Sequence, residues 1–348
     1  MLPADFIRNI ENSFSENEEG KAWLQALPSL LDEAARRWGL TIGEPFLLSY
    51  NYVCAAKSAD GVDVVLKIGV PEPELTSEIE ALRLYDGCGA ARLIDADAEK
   101  GMLLEERLRP GTMLLEVRDD AQAMEIAAGV TPALAAGASV RSLWRPVPAP
   151  LHTLTGTRPP NFAELRKIGG TGGGFIRLED WFGAFKELCQ RFGGNTGPLP
   201  RKIFETAEGL VADFFAEDEP PVVLHGDFHH YNLLKAGDEW KVIDPKGVIG
   251  PRGYEVGPLL INPWSDPSTG SPVPAVLAQA GQALMRGPNV KQISERRFAI
   301  LSEQLGMERS RIRGWGIAHA VLSACWSLDE QGRGGEHAIH CAEVFAQL

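Results

Sequence analysis

The most informative stretch of the chain reads LHGDFHHYN at residues 224–232 and, after an apolar run, WKVIDP at residues 240–245. It places Asp227 five residues before Asn232, and a second carboxylate, Asp244, twelve residues further on. Phosphoryl transfer needs this set of groups, because one Asp orients and deprotonates the acceptor hydroxyl while two oxygen ligands hold Mg²⁺. The sequence therefore predicts Asp227 as the catalytic base and Asn232 with Asp244 as the metal ligands.

The spacing of Asp227 and Asn232 equals that of the H-R-D-x-x-x-x-N loop of protein kinases. The segments HGDFHHYN and IDPKGVIGPRGYE resemble the aminoglycoside phosphotransferase family, in its branch of streptomycin 6-kinases and hydroxyurea phosphotransferases, whose loops read HGDxHxxN and IDPxGxxGxxGF/Y. Four further segments are similar to the same branch, at residues 27–40, 101–114, 119–127 and 298–332. The resemblance therefore covers most of the chain.

This resemblance implies a two-lobed, protein-kinase-like α+β fold. The N-lobe would comprise residues 1–107, with a helical extension at 1–40 and a nucleotide-binding sheet and helix at 41–107. Residues 108–348 would form a larger, mainly helical C-lobe that contains the catalytic loop and the acceptor site.

Local patterns are consistent with a small α+β unit at the start of the chain. Apolar residues recur at helical spacing over 28–38 and 74–85, and Asp60-Gly61 is a strong hairpin signal. Short apolar and β-branched runs predict strands at 46–48, 52–57, 62–68, 91–94 and 101–105. Further along, the composition predicts a long loop over 146–174, short strands within 222–257 and helices over 272–348.

A kinase-like fold requires a lysine on its third strand, which contacts the α- and β-phosphates of the nucleotide. The run VVLKIG at 64–69 supplies Lys67. Its acidic partner is expected on the following helix, where Glu74, Glu78 and Glu80 compete. At about 100° per residue, Glu78 flanks the apolar face of that helix and Glu80 points away from it. We therefore predict Glu78 as the partner of Lys67, with Glu74 as the alternative.

The loop expected to cover the nucleotide reads SYNY at 49–52 and lacks the glycines of the protein-kinase loop. The resemblance to antibiotic kinases implies a short polar loop here, in which backbone N–H groups, Ser49 and Asn51 hold a phosphate. It also implies that main-chain groups around Glu106 and Leu108, where the two lobes join, contact the adenine.

The acceptor site is less clearly marked. An aminoglycoside such as streptomycin carries guanidinium cations, which carboxylates bind through charge-assisted hydrogen bonds. The candidates are Asp329 and Glu330, beside Trp326 near the end of a predicted helix, together with Asp266. Each of these acids is also consistent with a solvated surface position. Glu255 is expected to support the catalytic loop.

Together these features predict an ATP- and Mg²⁺-dependent kinase that phosphorylates a small cationic acceptor, with the 6-hydroxyl of streptomycin as the first choice and antibiotic resistance as the role. Hydroxyurea and cellular amino sugars or amino alcohols stay open as acceptors, because acids that bind cations do not identify the cation. A catalytically silent kinase-like module is disfavoured, since Lys67, Asp227, Asn232 and Asp244 are all present.

A different class of enzyme is visible in the same loop. The HGD at residues 225–227 matches H-x-D, which begins the two-His, one-carboxylate site of non-haem Fe(II) oxygenases, and His319 would be the distant ligand. That fold needs many alternating strands between the two motifs. The helical pattern over 272–348 disfavours it, and it would leave Lys67 and Asp244 without a role.

Composition restricts the partners. The 47 acidic and 34 basic residues give a net charge of −13, so the field of the protein repels polyanions and disfavours nucleic acid. The five cysteines form no CxxC pair, which indicates reduced thiols. No apolar run reaches 18 residues, and the acidic N-terminal segment lacks the pattern of a secretory signal. We therefore predict a cytoplasmic protein with no membrane partner; the oligomeric state is not indicated.

Overall fold

The computed structural model describes residues 2–14, 18–131, 175–263, 285, 289–331 and 335–348. The chain begins with helices α1 (Ala4–Ser13) and α2 (Glu19–Trp38). An antiparallel five-stranded sheet follows, in the spatial order β1 (Thr41–Pro45), β2 (Tyr52–Lys57), β3 (Asp63–Ile68), β5 (Met102–Glu106) and β4 (Leu93–Asp97). Helix α3 (Pro73–Tyr85) connects β3 to β4.

Strand register decides which side chains reach each face of this sheet. Leu66 on β3 lies opposite Leu104 on β5, and both are buried in a core that they share with α1 and α2. Side chains alternate between the faces of a strand. Lys67 and its cross-strand neighbour Leu103 therefore point to the other face, where Leu103 packs against apolar residues of α3. The sheet thus presents Lys67 to α3.

Two small sheets carry the loops of the predicted site. One has the strand order β10-β9-β6 and the other β7-β11-β8. The strands are β6 (Pro110–Met113), β7 (Ile176–Arg177), β8 (Val222–Leu224), β9 (Leu233–Ala236), β10 (Glu239–Val242) and β11 (Val248–Gly250). The loop after β8 and the loop after β10 each pass from one of these sheets to the other, which brings the HGDFHHYN and IDPKG segments together.

Helices make up most of the remaining described chain. They are α4 (Asp120–Val130), α5 (Leu178–Trp181), α6 (Gly183–Arg191), α7 (Arg201–Ala216), α8 (Val256–Ile261), α9 (Val290–Leu305), α10 (Arg309–Gln331) and α11 (Glu336–Phe345). None of the helices within the described ranges is long and apolar enough to cross a membrane. The architecture confirms the predicted two-lobed α+β fold with a helical N-terminal extension. The boundary between residues 107 and 108 stays a prediction, and the predicted loop over 146–174 lies outside the described residues.

The predicted start of the second helix was wrong. Helix α2 begins at Glu19 and continues through Pro28. Proline inside a helix costs about 3 kcal/mol relative to alanine. That cost is offset because the two added turns bury Trp23 and Leu27 in the core under the sheet.

The first strand also differs from its prediction. It spans Thr41–Pro45, ahead of the predicted run at 46–48. Phe46 still donates its N–H to the carbonyl of Val53 at 2.8 Å, but its side chain is 42% exposed and that of Leu47 is 59% exposed. Of this apolar run, only Leu48 is buried in the core. The other predicted strands of this sheet lie within three residues of the observed ones.

The turn before β5 is expected to tolerate no side chain at Gly101. This residue has φ +67°, and an added Cβ would lie 2.1 Å from the carbonyl oxygen of Gly69. We expect Gly101→Ala to lower the free energy of unfolding in urea by about 1–2 kcal/mol for the left-handed backbone, plus about 1–3 kcal/mol for the clash.

Gly61→Ala is the matched control, because Gly61 has φ +84° but open space around an added Cβ. It should show the backbone cost alone. Equal losses in the two variants would contradict the proposed clash.

Candidate active site

A buried carboxylate fixes the start of the catalytic loop. Glu255 is fully buried, and its two oxygens accept the N–H groups of His225 and Gly226 at 2.9 Å each. Burial raises the pKa of Glu255 to about 8, although its hydrogen bonds to the two N–H groups act in the opposite direction. Gly226 has φ +85°, a conformation that glycine adopts without strain. Glu255 thus supports the loop immediately before Asp227, as the sequence predicted.

Removing one acceptor oxygen from this support is expected to destabilise the protein. Glu255→Gln replaces an acceptor with an NH₂ group that faces a backbone N–H, which leaves a buried donor unpaired. We expect the free energy of unfolding in urea to fall by about 1–3 kcal/mol. Glu303→Gln, on the exposed surface of α9, is the control and should be neutral. Equal stability of the two variants would contradict the role given to Glu255.

The hydrogen bonds of His225 define its tautomer. Nδ1 accepts the N–H of Asp227 at 3.2 Å, so Nε2 carries the proton and donates to the carbonyl of Ile243 at 2.9 Å. Burial lowers the pKa of His225 to about 4, so the ring is neutral. Both ring nitrogens are therefore engaged by the backbone, and His225 joins the catalytic loop to the segment that carries Asp244.

This geometry disfavours the Fe(II) interpretation of the HGD motif. His225 has no free nitrogen lone pair to offer a metal, and Nδ1 of His319 lies 2.9 Å from the hydroxyl of Tyr254. Within the described part of the chain, no group of three or more His, Cys, Asp or Glu side chains is placed to hold a metal ion. In the described residues, helices also stand where that fold needs alternating strands between the two motifs.

Asp227 is held from two sides. Its Oδ1 lies 3.1 Å from Nε2 of His229, and its Oδ2 accepts from Nδ2 of Asn232 at 3.2 Å. Burial would raise the pKa of Asp227, but the charge and hydrogen bond of His229, with the charge of Lys246, hold it well below its usual range. The Asp227 carboxylate is thus ionised and positioned to accept a hydrogen bond from a hydroxyl group.

Lys67 lies in a buried cluster of charges. Its Nζ lies 2.7 Å from each oxygen of Glu78 and also contacts Oδ1 of Asp244. Burial alone would lower the pKa of Lys67, but the attraction of Asp244 and Glu78 outweighs it and raises the pKa. Glu74, the alternative partner, contacts Lys246 instead, with 2.9 Å between Nζ and Oε1.

The donor set fits a magnesium ion. Nδ2 of Asn232 donates to the main-chain oxygen of Asp227 at 2.9 Å, and its Oδ1 accepts no hydrogen bond from the residues that the structure describes. The Asp244 side chain is 33% exposed, and burial is outweighed by the charges of Lys246 and Lys67, which keep its pKa low. One carboxylate and one amide oxygen, completed by phosphate oxygens and water, are the ligands that Mg²⁺ takes in nucleotide sites.

The residues predicted to contact the nucleotide lie along the same sheet. Ser49 and Asn51 belong to the loop between β1 and β2, and Asn51 lies against Gly69 at the end of β3. Glu106 ends β5, and its carboxylate is occupied by Lys241 at 2.5 Å and the N–H of Arg92 at 2.9 Å. The side chain of Glu106 is therefore engaged within the protein, which leaves only its main chain for the nucleotide.

Two of the three predicted acceptor residues lie at the end of α10. Asp329 and Glu330 lie in the last turn of α10, and Asp266 lies outside the described residues. One turn earlier on α10, Trp326 packs edge-to-face on Trp181, with ring centroids 5.3 Å apart. A Cβ on Gly226 would lie 3.1 Å from the Trp181 ring. The end of α10 thus reaches the catalytic loop through two tryptophans.

Two residues of this site were not singled out from the sequence. Lys246 stands in the quoted IDPKG segment, and its charge was the available signal. Trp181 lies on α5, next to the segment 146–174, and nothing in its local pattern indicated a position beside Asp227. Contacts between residues far apart in sequence, of Trp181 with Gly226 and of Lys246 with Glu74, are part of their placement here.

Comparison with known proteins is consistent with this geometry. The model of the aminoglycoside/hydroxyurea antibiotic resistance kinase family matches residues 42–164 and 175–332. The chain is 30% identical to the streptomycin 6-kinase of Streptomyces glaucescens, over 90% of this chain and 87% of that protein. It is 28% identical to the hydroxyurea phosphotransferase of Kitasatospora aureofaciens, over 93% of this chain and 79% of that protein.

Among solved structures, the ethanolamine kinase of Plasmodium vivax has a similar fold. The TM-score is 0.53 at 13% identity, with 100% of this chain and 94% of that chain covered. This likeness concerns the fold alone. The family match over most of the sequence confirms the resemblance seen in the two motifs, and the chain belongs to the aminoglycoside/hydroxyurea antibiotic resistance kinase family.

Proposed function

We propose that this kinase transfers the γ-phosphoryl group of ATP to a hydroxyl group of an aminoglycoside, with the 6-hydroxyl of streptomycin as the first acceptor to test. The observation that carries the proposal is the convergence of three segments on one cluster. Lys67 from the sheet contacts Asp244, and the segment of Asp244 is joined to the catalytic loop by the hydrogen bond from His225 to the carbonyl of Ile243. Within the catalytic loop, Asp227 is hydrogen-bonded to Asn232. The 30% identity to a streptomycin 6-kinase supports the choice of acceptor.

The nucleotide is proposed to lie between the sheet and the catalytic loop. Lys67 would contact its α- and β-phosphates, oriented by Glu78, and the loop with Ser49 and Asn51 would cover them. Leu108 follows β5, and its main-chain groups make no backbone hydrogen bond to a residue within the described ranges. They are therefore available to the adenine.

Asn232 and Asp244 are proposed to hold Mg²⁺. When bound, the ion neutralises charge on the phosphate oxygens and aligns them for transfer. The protein's part is to fix the two ligands. Asn232 is oriented by its hydrogen bonds to Asp227, and Asp244 by the two lysines on either side of it.

Asp227 is proposed to orient the acceptor hydroxyl and to accept its proton. The acceptor oxygen forms a bond to the γ-phosphorus as the bond from that phosphorus to the β,γ-bridging oxygen breaks. ADP leaves with the electron pair of the broken bond, and the hydroxyl proton passes to the Asp227 carboxylate. Because the pKa of Asp227 is low, the carboxylate acts mainly by positioning, and proton transfer is expected late in the reaction.

The acceptor is proposed to bind beside Asp227, toward the end of α10. Trp181 and Trp326 lie there and are only partly buried. The face of an aromatic ring attracts a guanidinium or ammonium group. Asp329 and Glu330, one turn further along α10, would supply carboxylates for the same cation, and Asp266 stays a further candidate.

The decisive test is Mg²⁺- and ATP-dependent phosphate transfer to a panel of acceptors, with product mass as the readout. The panel contains streptomycin, other aminoglycosides, hydroxyurea and simple amino sugars and amino alcohols. A gain of one phosphoryl group on streptomycin supports the proposal, and NMR of the product locates the 6-position. Modification of hydroxyurea alone would favour the activity named for the 28% identical relative. Nucleotide binding without modification of any aminoglycoside would overturn the acceptor assignment.

A further inference from the structure

Lys246 is a second, partly buried cation in the site, and the steps above give it no role in transfer. It lies two residues after Asp244, between that residue and α3. Its Nζ is 2.9 Å from Oε1 of Glu74 and 3.5 Å from Oδ2 of Asp244, and its side chain is 24% exposed. A lysine so close to a metal-binding carboxylate is well placed to meet the phosphates that the metal binds.

The backbone around Lys246 is fixed on both sides. Its N–H donates to the carbonyl of His225 at 2.7 Å, and the next carbonyl, of Gly247, accepts the hydroxyl of Ser77 at 2.6 Å. Gly247 has φ +61°, and an added Cβ would lie 2.3 Å from the carbonyl oxygen of Ser77. The Lys246 side chain therefore starts from a fixed point, and its movement is confined to its own rotatable bonds.

The two lysines differ in how firmly they are held. Lys67 is 6% exposed and lies between Glu78 and Asp244. Lys246 relies on Glu74, whose side chain is 43% exposed. An ion pair with so exposed a partner contributes little to stability. Lys246 can therefore exchange Glu74 for a phosphate at small cost, whereas Lys67 cannot leave its partners so easily.

The charge of Lys246 reaches both functional carboxylates. Burial works against ionisation of Asp227 and Asp244, and the charge of Lys246 helps to keep the pKa of each low. Its ammonium group is thus within Coulombic reach of the residue that receives the acceptor hydroxyl and of the residue that holds the metal. In the proposed reaction the phosphoryl group moves from the nucleotide at Asp244 toward the acceptor at Asp227, and positive charge stabilises the transition state of that step.

We propose that Lys246 leaves Glu74 when nucleotide binds and contacts the γ-phosphoryl group, whose charge it neutralises during transfer. The inference rests on the proposed function and adds to it a residue specific for the γ-position. Glu74 serves as the resting partner of Lys246 in the nucleotide-free protein. Lys67, by contrast, is assigned to the α- and β-phosphates, so the two lysines have separable effects.

The test compares Lys246→Met with Lys246→Arg and with Lys100→Met. Lys100 pairs with Glu33 on the N-lobe surface and controls for the loss of a lysine. Each protein is measured for kcat and, by calorimetry with Mg²⁺, for affinity to ADP and to a non-hydrolysable ATP analogue. We expect Lys246→Met to lower kcat about 100-fold and the affinity for the analogue about 10-fold, with ADP affinity within about two-fold. Lys246→Arg should restore the preference for the analogue over ADP.

Two results in the variants would indicate a purely structural role for Lys246 and would overturn the inference. One is an equal loss of ADP and analogue affinity in Lys246→Met. The other is the same loss of kcat in Glu74→Gln, since both would show that the Lys246–Glu74 pair supports the fold of the site. A wild-type protein that transfers no phosphate would overturn the proposed function together with this inference. An active wild-type protein matched by an equally active Lys246→Met would overturn the inference alone.

Discussion

Replacing Asp227 with alanine is expected to lower kcat for phosphoryl transfer by about 10³-fold, the range seen for loss of a general base. The affinity for Mg²⁺-nucleotide should change by less than about three-fold. The reason lies in the hydrogen bonds of Asn232, whose amide donates to the main-chain oxygen of residue 227 at 2.9 Å as well as to the carboxylate. The main-chain bond survives the substitution, so the proposed metal ligand keeps its orientation.

The measurement pairs single-turnover transfer with calorimetric binding of ADP and Mg²⁺. Asp238→Ala, in the exposed turn between β9 and β10, is the matched control, because it removes an aspartate without a partner in the site. It should leave both quantities unchanged. Turnover of Asp227→Ala within about ten-fold of the wild-type protein would refute the assignment of Asp227 as the base.

The sequence was sufficient where the arrangement of side chains depends on residues close together in the chain. Asp227 and Asn232 are five residues apart in one loop, so their mutual hydrogen bonds follow from local geometry. The choice of Glu78 over Glu80 needed only the helical period, and the structure pairs Glu78 with Lys67. The kinase-like fold was predicted from the resemblance of the two motifs and four further segments to one family.

The sequence was insufficient where packing between distant segments decides the outcome. Ser77 and Gly247 are 170 residues apart, yet their contact fixes the position from which Lys246 extends. Nothing local to Trp181 indicates that it lies against Gly226. Helix α2 likewise runs through Pro28 because burial against the sheet outweighs the local preference. Each of these features is set by the tertiary fold.

Asp244→Asn is expected to weaken the Mg²⁺-dependent part of nucleotide binding by about 100-fold, or about 2.7 kcal/mol. Asparagine is the informative replacement because Asp244 has φ +60°, where asparagine is well tolerated and alanine adds a backbone cost. The change keeps the size of the side chain and removes its charge. Lys67 stays paired, since both oxygens of Glu78 lie 2.7 Å from its Nζ.

The experiment titrates Mg²⁺ at fixed ADP and repeats the binding measurement in a chelator. If Asp244 holds the metal, the variant and the wild-type protein should bind ADP equally in the chelator, and the Mg²⁺ concentration at half-saturation should rise only in the variant. Loss of metal-independent binding would instead show that Asp244 serves to position Lys67, because these two side chains are in direct contact. An unchanged Mg²⁺ requirement would contradict the assignment, and the metal would then need ligands other than Asn232 and Asp244.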